Sequence, residues 1–173
     1  DKSPPKASAI DKWMHTKWDK VLYFMVGSPQ AEDLPEHTQD FLVHSGLMTS
    51  RPSDQDRSQE QLKISSKGYE FLLLSIHKQM WRFVQEFITY DNKSEVLGFL
   101  FQLGYCKVGQ DYPVKGLSAS QQELLQQFVS FGLIYRPYRP DDKGKKKWSS
   151  RFYPTSVACN LVFGFLDQAE EGG

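Results

Sequence analysis

Leu42-Val43-His44-Ser45-Gly46-Leu47-Met48 and Phe128-Val129-Ser130-Phe131-Gly132-Leu133-Ile134 lie 86 positions apart and share one pattern. In each, an apolar helical stretch ends at a glycine, the usual helix terminator, and a Leu followed by Met or Ile starts a strand. Past the next polar loop, Ser65-x-x-Gly68-x-x-Phe71-Leu72 matches Thr155-x-x-Ala158-x-x-Leu161-Val162 at an offset of 90, so the second loop is four residues longer. Ser65 and Thr155 are helix-capping types. The order helix, Gly-Leu, strand, loop, strand, capped helix therefore occurs twice. A helix followed by a β-hairpin is the winged-helix variant of helix-turn-helix. The expected fold is mainly α with small β-hairpins (α+β), built as tandem winged-helix units sharing a long central helix.

Outward from these stretches the chain reads as follows. Residues 1–9, with Ser3, Pro4, Pro5 and Ser8, predict a flexible lead-in. Ile10, Trp13, Met14, Trp18, Val21, Leu22 and Met25 fall at helical spacing, and Gly27-Ser28-Pro29 ends that helix. Asp33, Pro35 and Glu36 predict the start of a second helix that runs to Ser45. Leu47–Thr49 and Gln61–Ile64 read as strands around the polar loop Ser50–Glu60.

Tyr69, Leu72, Leu73, Ile76, Met80, Phe83, Val84 and Phe87 then form one stripe, with Phe71, Leu74, Trp81 and Ile88 off it. The spacing predicts one helix over 66–90, packed on more than one side and therefore central. Asp91-Asn92 breaks the pattern. A helix from Ser94 to Gly104, a connection Tyr105–Gly116 and a helix capped by the Ser118–Gln121 pair follow. Leu133–Tyr135 and Arg151–Tyr153 read as strands around a basic loop, Arg136–Ser150, before a last helix through Val157, Leu161, Val162 and Phe165. The expected units are 10–91 and 92–166, with a tail at 167–173.

Composition narrows the classes. Twenty-one cationic and 21 acidic side chains leave no net charge, so no global field draws in nucleic acid. At 39% hydrophobic and 14% aromatic residues the chain is too apolar to be a disordered segment. Its apolar runs, such as Val21–Val26, fall far short of the roughly 20 residues that span a bilayer, so no membrane role is expected. No signal peptide is read at the start, and the absence of Met at Asp1 leads us to expect a piece of a longer protein. Cys106 and Cys159 are 53 residues apart without paired spacing. They read as ordinary buried thiols in a reducing, intracellular compartment.

Chemistry-bearing motifs are few. Arg139, not Gly, stands five residues ahead of Gly144-Lys145, so there is no phosphate loop. His15, His37, His44 and His77 form no metal-ligand cluster. No catalytic residue, cofactor site or metal site is expected, and no enzyme. The helix before Gly46 carries Asp33, Glu36 and Asp40, and the helix before Gly132 carries Glu123; neither has Lys or Arg. A major-groove reader needs cations facing phosphate, so both helices match protein-binding winged helices better. The first wing, with Arg51 and Arg57 against Asp54, Asp56 and Glu60, is close to neutral.

The second wing differs. Arg136, Arg139, Lys143, Lys145, Lys146, Lys147 and Arg151 against Asp141 and Asp142 leave +5, interleaved with Tyr135, Tyr138, Trp148 and Phe152. Two readings stand side by side: a contact to phosphate or to an acidic partner surface, or a solvated hairpin whose lysines protect an edge from aggregation. A sequence-tolerant nucleic-acid-binding winged-helix protein with a weak DNA contact at this wing is the alternative function.

Trp18–Ser28 (WDKVLYFMVGS) resembles the Tfb2 family, the fifty-two-kilodalton subunit of the transcription and repair factor TFIIH. Lys67–Leu74 (KGYEFLLL), Val96–Leu103 (VLGFLFQL) with Gly109-Gln110-Asp111-Tyr112, and Arg151–Leu161 (RFYPTSVACNL) are similar too, in the same order. The resemblance runs from about Ile10 to Leu161 and corresponds to the middle region of that subunit. It implies a non-enzymatic scaffold in the nucleus, in complex with other TFIIH core subunits including the XPB translocase. The function implied is support of that translocase in transcription initiation and nucleotide excision repair. The Ser50–Glu60 loop and the Asp141–Lys147 insertion are longer than the family pattern implies.

Overall fold

Glycines in the left-handed region end three of the helices. Helix α1 (Ala7–Met25) closes at Gly27, φ +67°, where the Ser28 N–H reaches the Tyr23 carbonyl and the Gly27 N–H reaches Phe24. Helix α2 (Glu36–His44) is followed by Gly46 at +79°, and α6 (Ala119–Phe131) by Gly132 at +84°. A side chain at such φ values is strained, so these positions favour glycine. The protein is described here from a computed structural model that covers residues 4–52, 60–90 and 93–161. Five expectations lie outside those residues: Ser3 of the lead-in, Asp54, Asp56 and Arg57 of the first wing, the break at Asp91-Asn92, Val162 and Phe165 of the last helix, and the tail 167–173.

The fold is mixed, with helices and small antiparallel sheets, as the sequence led us to expect at that level. It divides into two compact units, Asp19–Lys93 and the residues up to Trp18 together with those from Ser94 on. In Asp19–Lys93, β1 (Met48–Pro52) pairs antiparallel with β2 (Glu60–Ile64), Met48 opposite Ile64. Helices α3 (Ser66–Leu72) and α4 (Ile76–Tyr90) follow. The α2–α4 contact is aromatic: the Phe41 ring meets Phe83 at 4.7 Å, Phe87 at 5.4 Å and Tyr90 at 5.5 Å, all edge-on.

The other unit holds α5 (Lys93–Gly104), α6 and five strands. β3 (Tyr112–Pro113), β7 (Arg151–Pro154) and β4 (Ile134–Tyr135) form one sheet in that order. β5 (Tyr138–Pro140) and β6 (Lys146–Trp148) form a separate hairpin. A helix opens at residue 156 and is described to 161. Phe99 of α5 stacks on Phe128 of α6 with centroids 5.6 Å apart. The Ser118 hydroxyl accepts from the Gln121 N–H, and Gln121 Oε1 accepts from the Ser118 N–H, the capping box expected there.

The repeat seen in the sequence recurs as a hydrogen-bond arrangement. In Asp19–Lys93 the Ser65 N–H and hydroxyl both donate to the Leu47 carbonyl, while Ser65 Oγ accepts from the Gly68 N–H. In the other unit the Thr155 N–H and hydroxyl both donate to the Leu133 carbonyl, while Thr155 Oγ1 accepts from the Ala158 N–H. The strand registers correspond as well, Met48 opposite Ile64 and Ile134 opposite Pro154. In both places one capping side chain ties the start of a helix to the residue after a left-handed glycine.

Several expectations need correction. The single helix over 66–90 is two helices, so there is no long central helix to share. At the break the Leu74 N–H turns back to the Phe71 carbonyl, and the buried Gln79 side chain donates to the Phe71 and Leu72 carbonyls at the end of α3. The break shifts the helical phase: Phe71 is buried while Tyr69 and Leu73, expected on the buried stripe, are 60% and 87% exposed.

Helix α2 starts at Glu36 rather than Asp33, with Pro35 at its N-cap and no side-chain cap; the Pro35 carbonyl receives the first N–H groups instead. Helix α1 begins at Ala7, inside the expected lead-in. Its residues up to Trp18 group with those from Ser94 on. There the Trp13 ring meets Tyr135 edge-on at 5.0 Å, and Asp11 Oδ1 accepts from the Ser156 hydroxyl. Finally, the Tyr105–Gly116 connection contains β3, and the Arg136–Ser150 loop contains the β5–β6 hairpin.

Candidate functional site: the basic hairpin

Asp141 makes the turn that presents the basic residues. Its Oδ1 accepts from the Lys143 and Lys145 N–H groups at 2.9 and 2.8 Å, and its carbonyl accepts from Gly144, which sits at φ +75°. Across the hairpin Tyr138 stands opposite Trp148, Arg139 opposite Lys147 and Pro140 opposite Lys146. The Tyr138 and Trp148 rings meet at 4.6 Å, and Lys146 Nζ lies 5.7 Å from the Tyr138 ring centre. Alternation thus puts the aromatic pair on one face and Arg139 with Lys147 on the other.

The seven candidate residues separate into three kinds. Arg136 is half-buried: its Nε donates to the Ser149 carbonyl at 2.7 Å and its Nη1 to Gln126 Oε1 at 2.9 Å, with its guanidinium carbon 5.9 Å from the Trp148 ring centre. Burial lowers its pKa from the usual arginine value. Arg151 is engaged with Asp111, Nε to Oδ2 at 2.8 Å and Nη2 to the Asp111 carbonyl at 3.3 Å. That hydrogen bond holds the Asp111 carboxyl below the ordinary carboxylate value. Arg139, Lys143, Lys145, Lys146 and Lys147 are exposed, and none has an ion pair among the described residues.

A cleft of about 560 Å³ opens beside the hairpin. Arg136, Arg139 and Lys147 line it; Lys143, Lys145, Lys146 and Arg151 do not. Its other walls include Trp148, one of the aromatics read among the basic residues, and Lys115 and Gln122, which were not sequence candidates for this wing. Lys115 lies 21 residues before Arg136, and no local pattern links the two. The arrangement can hold an anion: among the described residues four cationic groups line the cleft and Asp141 is its single carboxylate. Among the described residues no three His, Cys, Asp or Glu side chains come together to hold a metal, and no helix is long and apolar enough to cross a membrane. Cys159 is buried, which pushes its thiol up to about 11, while Cys106 is half-buried rather than buried as expected.

Comparison with known proteins places the chain. The family described as Transcription factor Tfb2 matches residues 1–172. The chain is 32% identical over 158 residues to the general transcription and DNA repair factor IIH subunit TFB2 of Saccharomyces cerevisiae, covering 88% of this chain and 28% of that protein. It is 30% identical over 167 residues to the subunit of the same name from Eremothecium gossypii, covering 94% of this chain and 30% of that protein. General transcription factor IIH subunit 4 of Dictyostelium discoideum is 29% identical over 170 residues, covering 93% of this chain and 32% of that protein. The chain therefore spans about 30% of the length of these relatives. The resemblance carried by four short stretches thus extends over almost every residue, and the chain belongs to the Tfb2 family of transcription factors.

Proposed function

We propose that this chain is a non-enzymatic scaffold module of the TFIIH core, made of tandem winged-helix units, that anchors and supports the XPB translocase in transcription initiation and nucleotide excision repair in the nucleus. Family membership supports the assembly, and the recurring order of helix, glycine, strand pair and capped helix supports the winged-helix reading. One observation carries the scaffold role. Helices α2 and α6, the recognition helices on this reading, hold Glu36, Asp40 and Glu123 and no Lys or Arg.

The test is assembly. The chain is co-expressed with the other TFIIH core subunits, and co-purification is followed together with ATP hydrolysis. We expect association that survives physiological salt, and no turnover by the chain alone. A chain that never associates, or whose own turnover is abolished by a point mutation within it, overturns the reading.

A second reading has its own support, the exposed cations of the β5–β6 hairpin. It makes the chain a sequence-tolerant nucleic-acid binder through that wing. Duplex binding that stays micromolar at physiological salt would favour it.

A further inference from the structure

We propose that the cleft beside the β5–β6 hairpin is a docking site for an acidic segment of a protein partner, one that places Asp or Glu side chains among Arg136, Arg139, Lys147 and Lys115. The proposal rests on the scaffold reading and names the chemistry of one contact within it.

Among the described residues the charges in the cleft have no ion-pair partners. Arg139 and Lys147 face each other directly across the hairpin, a like-charge pairing that destabilises a two-stranded sheet unless an anion lies nearby. Neither they nor Lys115 have an ion pair among the described residues. Arg136 is positioned by two oxygen acceptors, the Ser149 carbonyl and Gln126 Oε1, and neither neutralises it. Asp141 spends one carboxylate oxygen on the turn. Arg151, by contrast, has its carboxylate in Asp111 and stands outside the cleft.

Size and surroundings select a polypeptide over a nucleic acid. A duplex is held by many cations spread along its phosphates. Here α6, whose Gln122 lines the cleft, carries no Lys or Arg that could extend a phosphate track. The volume, about 560 Å³, suits a few side chains. A planar guanidinium pairs with a carboxylate through two parallel N–H bonds. Val114 and the 39%-exposed Trp148 add apolar wall for a neighbouring aliphatic or aromatic residue.

Fluorescence anisotropy of a labelled Glu- and Asp-rich peptide containing one Phe, and of a labelled DNA duplex, tests this on the full chain. We expect the peptide to bind, with affinity falling about tenfold or more in Arg139→Glu/Lys147→Glu and holding in Lys143→Glu/Lys145→Glu, the same charge change outside the cleft. Should the double reversal disturb the fold by circular dichroism, Arg139→Gln/Lys147→Gln replaces it. The proposal is overturned by no peptide binding, by equal loss in Lys143→Glu/Lys145→Glu, or by a duplex that binds more tightly than the peptide through the same two residues. A failure here with TFIIH assembly intact removes this contact and leaves the scaffold role standing.

Discussion

Gly68 and Ala158 occupy corresponding places in the repeat but not equivalent space. A Cβ built on Gly68 runs into the Leu47 carbonyl oxygen and comes within 2.6 Å of Ile64 Cγ1. The carbonyl is the one that already receives the Ser65 N–H and hydroxyl, so it cannot move without loosening the cap. Gly68→Ala should therefore lower stability by about 1–3 kcal/mol, the usual cost of overpacking a filled site. Replacing Ala158 by Gly should cost less, roughly 1 kcal/mol from helix propensity alone. Urea unfolding of the two variants gives the comparison, and equal losses would mean that Gly68 has room the geometry denies it.

Short elements here depend on contacts that no neighbour in sequence supplies. β3 is two residues long, and beside it the Asp111–Arg151 pair joins residues 40 apart. Arg151 lowers the Asp111 pKa in the folded chain from the ordinary value of 3.8. A carboxylate with a depressed folded pKa adds stability that is fully present above its unfolded value and is lost as pH falls through the folded one. The Tm difference between the parent chain and Asp111→Asn should thus be small and constant from about pH 5 to about pH 8, as exposed pairs contribute little. It should close on acidification below about pH 4. A difference that grows on acidification would assign the pair the wrong sign. Lys67 shows the same dependence: its ammonium donates to the Ser45 carbonyl just past α2 and to Glu86 of α4, 22 and 19 residues away.

At the scale of the whole molecule, each of the two units has its own set of buried residues. Phe83 is 1% exposed and meets Phe41 in Asp19–Lys93, whereas Phe99 and Phe128 stack within the other unit. A carboxylate at position 83 would be buried without a partner, so Phe83→Asp should cost more than about 3 kcal/mol. Hydrogen exchange should show lost protection in α2, α3 and α4, with α5 and α6 less affected. An unchanged melting temperature would mean that Phe83 is not a core residue. Uniform loss across all the helices would mean that the chain opens as one body.

What the sequence by itself determined was local. Apolar spacing and the glycines set most helix ends, the Ser118–Gln121 cap and the positions of the four strands read from the pattern. These depend on residues within a turn or two of each other. Pattern matching over the whole length also made the Tfb2 resemblance legible. Two places mark its limit. The stripe Tyr69–Phe87 looked continuous because a helix break of three residues leaves no glycine or proline behind; the Gln79 side chain makes the break stable, and only the fold brings it to the Phe71 and Leu72 carbonyls. The basic wing looked like one patch because charge was counted along the chain. Tertiary structure divided it: Asp111, distant in sequence, occupies Arg151, while hairpin register puts Arg139 against Lys147 beside Arg136 and Lys115. Short-range torsional preferences are written into neighbouring residues, but which charges are neutralised is decided by groups that meet only when the chain has folded.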